Sequence, residues 1–361
     1  MPSKNKATRY KEVGIDIKKI KMIQNRIGKD IEKTQMFLDF GKVIYGFGHY
    51  AGLIEIDNKI MSLHTDGVGS KIIISQLMKK FDTVGIDCIA MNVNDIVCVG
   101  SKPIGYLSYI ALQKTNNFLL KEITKGLIKG AKLSNVAIVG GETAILPDII
   151  TGKGKDHNFD LAGMIFGITN DKRKIILGNK IKSDDYIIGI NSSGLHSNGY
   201  TLARKILLEK NSVNDKLEYL NDSLGKELLK PTIIYSKTIL KLIDEFDTTV
   251  IHGLSHITGG AFTKLKRLNS NVDYILDNLP EIKGIFKQIM IDGNIDIAEM
   301  YSTFNMGIGF CVIASKNMVE KIMDSIREDG LKCQIIGKIK SNGNGNCFIK
   351  NKGQVNNLLK I

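Results

Sequence analysis

The stretch VGIDCIAMNVNDIVCVGSKP, residues 84–103, decides how the rest of the sequence is interpreted. Residues 83–99 have the length of a helix and few helix breakers, and Gly100 to Pro103 ends it. Asp87, Asn94 and Asp95 fall on roughly one side of this helix. Asn and Asp compete for backbone hydrogen bonds and are poor interior helix residues. Their presence therefore indicates either a satisfied buried network or a metal-phosphate site, and the sequence leaves both open.

Strands and helices alternate on both sides of this stretch, which predicts a mixed α/β or α+β architecture. An isoleucine stripe predicts an amphipathic helix over roughly 15–34, and a glycine-containing loop follows at 41–52. Further helices are predicted at 118–133, 197–208, 230–246 and 316–329. Strands are predicted at 54–63, with Asp57-Asn58 as a candidate turn, and at 104–112, 136–139, 161–168, 186–190, 310–314 and 335–339. The length of 361 residues favours two domains, with a linker at 170–182.

Composition excludes several classes of protein. The net charge is +13, but lysines are spread in ones and twos without interleaved aromatics, so we expect a solvated surface and no nucleic-acid partner. The five cysteines form no CxxC pair and no zinc-ligand spacing, which indicates reduced thiols and a cytoplasmic location. No run approaches the roughly 18 apolar residues of a membrane helix, and the polar segment 1–11 lacks a signal-peptide core. No membrane partner is expected.

Phosphate chemistry, if present, must come from short polar-glycine turns. The sequence has no GxxxxGK[ST] P-loop and no GxGxxG at a strand-to-helix junction. Asp66-Gly67-Val68-Gly69 follows a strand, and so does Gly140-Gly141-Glu142-Thr143. Together Asp66, Asp95 and Glu142 would supply the oxygen ligands that Mg²⁺ prefers. The alternative is an ordinary turn at each glycine pair and three independent surface acids.

Three more turns of this kind lie in the second half of the chain. The run 192–200 (SSGLHSNGY) leads into a helix that Ser197 would cap, which predicts an anion site. His196 in this run is either a phosphate donor or acid/base group, or a structural histidine. HITGG at 256–260 precedes another expected helix. In EMYSTFNMGIG at 299–309, alternation places Asn305 on the face opposite the strand core.

In this order and spacing the phrases resemble the aminoimidazole ribonucleotide synthetase family, the phosphoribosylformylglycinamidine cyclo-ligases. The similarity runs from about Tyr10 to Ile339. It implies two α/β domains, an ATP-binding domain at 41–170 and a second synthetase-type domain at 171–361, an α/β sandwich, after a helical extension at 1–40. It also implies a homodimer in which the first domains contribute strands to a shared barrel. The implied reaction uses ATP and Mg²⁺ to convert formylglycinamidine ribonucleotide to aminoimidazole ribonucleotide, with release of ADP and phosphate.

The resemblance also implies roles for individual residues. Catalysis falls to Asp95, His196 and Lys71, and metal binding to Asp66, Asp95 and Glu142. ATP or phosphate contacts are implied for Gly46, Gly48, Asp66, Gly67, Gly69, Ser70, Asn94, Gly140, Gly141 and Thr143. Contacts to the ribonucleotide substrate are implied for Ser193, His196, Ser197, Asn198, Thr258, Gly259, Gly260 and Asn305.

The chain departs from the family pattern in two segments. Gly28 stands where the family places a lysine, and Gly46-Phe47-Gly48-His49 replaces a more continuous glycine run. Residues 145–148 read ILPD where the family usually has EMPG. The contacts of residues 28–48 and 145–150 therefore stay open. Related synthetases fit less well: a selenophosphate synthetase would carry a reactive cysteine near its amino terminus, whereas the first cysteine here is Cys88. Kinase-like and hydrogenase-maturation-like relatives should lack HSNGY and FNMGIG.

Overall fold

The computed structural model of the protein describes residues 17–152, 154–350 and 358–361. The polar segment 1–11 and the first residues of the helix predicted at 15–34 lie outside these ranges. Each half of the chain forms its own sheet, and helices pack against both sheets. Among the described residues, no helix combines the length and apolar character needed to cross a bilayer.

The first sheet spans residues 42–169. Its strands are β1 (Lys42–Tyr45), β2 (Gly52–Ile56), β3 (Lys59–Gly67), β4 (Lys102–Leu112), β5 (Ala137–Ile145) and β6 (Phe159–Thr169). They lie in the order β1-β2-β3-β6-β4-β5, antiparallel except for the parallel pair β4–β5. The accompanying helices are α1 (Ile17–Glu32), α2 (Ile72–Met78), α3 (Asp82–Val97) and α4 (Asn117–Ser134), with short 3-10 helices at Lys33–Phe37, Gly69–Lys71, Lys155–His157 and Lys172–Lys174.

The second sheet has the order β13-β12-β9-β11-β7-β10-β8. Its strands are β7 (Tyr186–Asn191), β8 (Ile251–His256), β9 (Asp273–Leu276), β10 (Ile308–Ala314), β11 (Cys333–Lys340), β12 (Cys347–Lys350) and β13 (Leu358–Lys360). The helices are α5 (Tyr200–Leu207), α6 (Leu224–Leu228), α7 (Ser236–Glu245), α8 (Ile285–Gly293), α9 (Ile297–Thr303) and α10 (Val319–Glu328), with 3-10 helices at Ala261–Arg267 and Lys316–Met318. This arrangement confirms the predicted α+β fold.

Helix α3 lies at the centre of the molecule, and every residue from Thr83 to Val97 is buried. It packs against α4 with almost no space between the two backbones. A Cβ on Gly126 would lie 1.8 Å from the carbonyl oxygen of Asp82, and one on Gly85 would lie 2.5 Å from that of Ile123. Glycine at these two positions therefore permits the close approach of α3 and α4. Helix α3 itself lies between the first sheet and the second domain.

Two predicted helices begin later than the sequence indicated. The predicted Ser197 cap is wrong: α5 begins at Tyr200 behind Gly199, and Ser197 Oγ lies 3.2 Å from Thr232 Oγ1. The helix predicted at 230–246 begins at Ser236. Residues 231–235 stay irregular because Pro231 has no N–H and the backbone N–H groups of Thr232 and Tyr235 donate to Asp87 and Asn94 of α3.

Two predictions about strands and turns also change. The strand predicted at 54–63 is the hairpin β2–β3, with Asp57 and Asn58 in left-handed conformations at φ 47° and 63°. This confirms the candidate turn. The turn predicted at Gly140-Gly141 is wrong, because β5 continues through both glycines to Ile145.

Candidate functional site

A cluster of ionisable groups joins the two domains near the carboxyl end of α3. His256, the last residue of β8, donates from Nδ1 to Asp95 Oδ1 at 2.7 Å. His64 on β3 places its Nε2 3.5 Å from the other oxygen of the same carboxylate. Asp95 and His256 are buried, so the cluster is held by packing from both domains.

The cluster shifts the pKa values of two neighbouring carboxylates in opposite directions. Burial alone would raise the pKa of Asp95, but Lys264, His64 and His256 together hold it below its ordinary value. Asp66 behaves oppositely, since burial and then the charge of Asp95 raise its pKa. Burial lowers the pKa of Lys264, and Asp95 opposes that shift. Two acids that repel each other beside a single buried lysine favour a bound cation.

Two members of the cluster, His64 and Lys264, line a cavity of about 480 Å³. One wall is the glycine loop 46–52, another is 63–65 of β3, and the third comes from the second domain, with Gly259, Lys264, Lys266 and Arg267. The volume lies within the range of small-ligand sites. Basic side chains facing a glycine loop suit a phosphorylated ligand. The predicted Gly46, Gly48 and Gly259 are thereby brought together.

The turn after β3 lies beside this cluster. Gly67 donates its backbone N–H to Asp66 Oδ1 at 2.8 Å, which fixes the carboxylate. Gly69 has φ 67°, with open space where a Cβ would stand. Ser70 Oγ lies 3.1 Å from Thr201 Oγ1 on α5, so this turn also touches the second domain.

Lys71 and Asn94 are not brought to the cavity. Lys71 is fully buried, with its Nζ 2.8 Å from Asp87 Oδ2 and donating to the carbonyl of Lys230 at 2.7 Å. Asn94 donates to the carbonyl of Ile233 at 2.8 Å and accepts from the N–H of Tyr235 at 2.8 Å. Both predicted ligands have protein partners here: Asn94 joins α3 to the irregular segment 231–235, and Lys71 joins Asp87 of α3 to Lys230.

Glu142 is also separate from the other two predicted metal ligands within one chain. The register of the first sheet aligns Glu142 with Tyr109, Ala162 and Gly67 on successive strands. Three strand spacings amount to roughly 14 Å. Gly140, Gly141, Glu142 and Thr143 are all exposed, and Glu142 accepts from the N–H of Thr143 at 2.8 Å.

His196 lies beside the cluster. Its ring centroid is 6.5 Å from that of His256, and it is buried with a left-handed φ of 62°. Nε2 accepts from the N–H of Ser193 at 3.3 Å, whereas Nδ1 has no hydrogen-bond partner. Burial, followed by His256 and Lys71, holds the pKa of His196 well below its ordinary value, so the ring is neutral.

Most of the other predicted substrate residues contact groups of the protein itself. Asn305 accepts from Ser192 Oγ at 3.1 Å and donates to the carbonyl of Gly194 at 2.9 Å, which holds the 192–194 turn in place. Ser193 Oγ donates to the carbonyl of Pro231 at 2.5 Å, and Asn198 Nδ2 lies 3.9 Å from Met91 Sδ. Thr258 Oγ1 accepts from Lys264 Nζ. Gly260 has a left-handed backbone conformation, with φ 82°.

Sequence reasoning missed several residues of the site. His64, His256, Lys264, Lys266 and Arg267 were not proposed as site residues. A signal existed for each histidine, because His64 lies two residues before Asp66 and His256 opens the HITGG turn. The three basic residues follow that turn at close spacing and are brought to the cavity by the 3-10 helix Ala261–Arg267.

The carboxylates satisfy only part of a metal site. Among the residues that the structure describes, no group of three or more His, Cys, Asp or Glu side chains is arranged to hold a metal ion. Asp66 and Asp95 are a repelling pair, and Mg²⁺ commonly takes one or two carboxylates and completes its shell with water and phosphate. The residues therefore fit Mg²⁺ that arrives together with a phosphorylated ligand.

The fold and the site define the class of protein, which two family models identify. Residues 48–169 match the family described as AIR synthase related protein, N-terminal domain, and residues 182–350 match AIR synthase related protein, C-terminal domain. The fold is also that of HypE in complex with ATP, with TM-score 0.60 and 16% identity over 83% of this chain and 84% of that one.

Closer relatives narrow the class to one family. The phosphoribosylformylglycinamidine cyclo-ligase of Methanobrevibacter smithii is 46% identical over 333 residues, covering 91% of this chain and 94% of the relative. The enzyme of the same name from Methanocaldococcus jannaschii is 45% identical over 339 residues, covering 91% of each. The chain belongs to the phosphoribosylformylglycinamidine cyclo-ligase family, ATP-dependent ligases of purine biosynthesis.

Proposed function

We propose that the cavity between the glycine loop 46–52 and Lys264 binds the phosphates of ATP with Mg²⁺, and that the ribonucleotide binds between this cavity and His196. The observation that carries the proposal is the cavity walled by a glycine loop and by Lys264, Lys266 and Arg267, in which His64 connects the lining to the buried Asp95–His256 pair. Charge neutralisation and positioning are what phosphoryl transfer requires of a protein.

The reaction explains why such a site needs ATP. The formyl oxygen of formylglycinamidine ribonucleotide is a poor leaving group, and transfer of the γ-phosphoryl group onto it produces ADP and a phosphate ester of the imidic acid. The neighbouring nitrogen attacks the activated carbon, the ring closes, and phosphate and a proton depart. Mg²⁺, when bound, would neutralise phosphate charge.

The protein's own residues supply the remaining steps. Lys264, buried beside Asp95, offsets phosphate charge where little water competes. Asp95 orients His256 through its Nδ1. His196 is neutral, and because its Nε2 accepts from Ser193 the ring proton is on the unpartnered Nδ1, which is therefore a candidate hydrogen-bond donor to the ribonucleotide, while the proton released on ring closure leaves with the phosphate.

A homodimer is part of the proposal, because one face of the first sheet is uncovered. Edge strand β5 is exposed along almost its whole length, and Val139 is 68% exposed. On the neighbouring strand β4, Leu107 and Tyr109 are also exposed. Unpaired apolar edges of this kind favour association, and a second copy of the same sheet would cover this one. Cytoplasmic location stays a prediction.

A coupled ADP-release assay tests the function directly. ATP turnover should appear only when formylglycinamidine ribonucleotide is added, together with Mg²⁺. ADP release that is independent of the ribonucleotide would contradict the proposal. So would DNA binding that weakens steeply with salt in a protein without ribonucleotide-dependent turnover.

A further inference from the structure

A second cavity, of about 1020 Å³, shares no lining residue with the proposed ATP cavity. One side comes from the first domain, at the start of β4 and the carboxyl end of α4. The opposite side is α7 of the second domain, and residues 170–174 of the interdomain segment lie between them. A ligand in this cavity would therefore contact both domains and the segment that connects them.

The lining is strongly basic. Five lysines face the cavity, and Lys174 is paired with Asp244 at 2.6 Å. The other four are exposed, and in the described part of the chain they form no ion pair: Lys102, Lys129, Lys132 and Lys237. The other acid in the lining, Asp171, is already bound by Arg173 at 2.8 Å. Converging lysines without counter-charges repel one another, and a bound polyanion would relieve that repulsion.

The cavity also has an apolar part. Leu133, which is 54% exposed, lies across from Leu240 and the buried Ile243 of α7. Exposed leucine beside converging cations suits a ligand with an apolar ring and an anionic group. The volume is at the upper end of the range for small-molecule sites.

We propose that this lysine cleft, defined by Lys102, Lys129, Lys132 and Lys237, binds a nucleoside phosphate. The phosphates would contact the lysines, and the base would pack on Leu133 and Leu240. Binding there holds the two domains and their connecting segment together, so the ligand stabilises one arrangement of the domains. The proposal is independent of the function proposed above.

The test is calorimetric titration of the full chain with AMP at low salt. The cleft variant is Lys129→Gln/Lys132→Gln/Lys237→Gln, and the matched control is Lys121→Gln/Lys316→Gln/Lys321→Gln. All six side chains are exposed and each variant loses three positive charges, so non-specific charge effects are equal. The wild-type protein and the control should bind AMP with equal affinity, whereas the cleft variant should bind at least tenfold more weakly.

A second measurement separates the cleft from the ATP cavity. AMP should raise the melting temperature of the wild type and of a Lys266→Gln/Arg267→Gln variant, but not that of the cleft variant. Equal AMP affinity in the cleft variant and the wild type, or equal losses in both triple variants, would overturn the proposal. If tripolyphosphate binds as tightly as AMP, the base contributes nothing to binding, and the proposed packing of the base on Leu133 and Leu240 is wrong. Binding of polyglutamate in place of AMP would indicate a protein-docking surface.

Discussion

Asp87 and Asp95 lie eight residues apart on the same buried helix, yet their surroundings differ completely. Asp87 contacts Lys71 and accepts from both the N–H and the hydroxyl of Thr232, at 2.7 Å each. Asp95 contacts two histidines beside another acid, and one of them, His64, lines a cavity and has no hydrogen-bond partner at Nε2. The comparison teaches that burial and residue type do not separate a structural acid from a functional one. What separates them is the kind of partner: Asp87 has a lysine and two hydrogen-bond donors, whereas Asp95 has two histidines and a second acid whose charge it repels.

The largest expected effect is on stability and concerns Asp87, the structural acid of the pair. Asp87→Ala leaves the Lys71 ammonium buried without its counter-charge, so the free energy of unfolding should fall by about 3–5 kcal/mol in urea denaturation. The double variant Lys71→Met/Asp87→Leu should recover most of that loss, because apolar side chains of similar volume need no counter-charge. A loss below about 1 kcal/mol in the single variant would show that the pair is not structural.

The proposed functional role of Asp95 is tested by the substitution Asp95→Asn. The amide keeps the size of the side chain but removes the charge, so we expect turnover in the ADP-release assay to fall at least a hundredfold, about 2.7 kcal/mol. The melting temperature should change by only a few degrees. Asp324→Asn, at an exposed acid on α10, is the control and should leave both unchanged. Retention of more than about a tenth of the rate would remove Asp95 from the metal and phosphate site.

His196 sharpens the comparison, because it is buried without a full set of partners. We expect His196→Asn to slow ring closure about tenfold, or 1.4 kcal/mol, with ADP affinity unchanged. Asparagine tolerates the left-handed backbone at this position, which separates loss of the ring from backbone strain. Single-turnover kinetics identical to the wild type would return His196 to a structural role.

The smallest expected effect is a pH dependence of stability. Burial lowers the pKa of His49 to about 4, and burial also lowers those of His196 and His256. Below about pH 6.5 the unfolded chain binds protons that the folded chain does not, so stability is complete above that pH and declines toward pH 4. For His49 this is about 1 kcal/mol over the first pH unit.

Urea denaturation between pH 7.5 and 4.5 measures this slope. His49→Gln should flatten it, since glutamine does not titrate in this range. Asp66 acts in the opposite direction, because its raised pKa favours the folded state as the pH falls. A slope that is unchanged in His49→Gln would contradict the assignment.

Much of the fold could be predicted because it is encoded locally. Helices α3 and α4 and strands β4, β6, β7 and β10 follow from hydrophobic spacing and from the residues that end them. Strand β8 and helices α8 and α9 were not predicted. The start of the helix predicted at 230–246 was placed too early. The backbone N–H groups of Thr232 and Tyr235 donate instead to Asp87 and Asn94, which lie more than 140 residues away in sequence. Local patterns contain no information about such distant partners.

The sequence by itself determined the family and the reaction class, because these depend on residue order alone. Only the tertiary structure decided which acid of α3 is paired with a lysine and which contacts two histidines, one of them lining a cavity. It also placed Lys71 inside an ion pair, Glu142 on an exposed edge and Lys264 beside Asp95. The physical reason is that a buried charge takes its role from the groups around it, and those groups arrive from distant segments only when the two domains pack together.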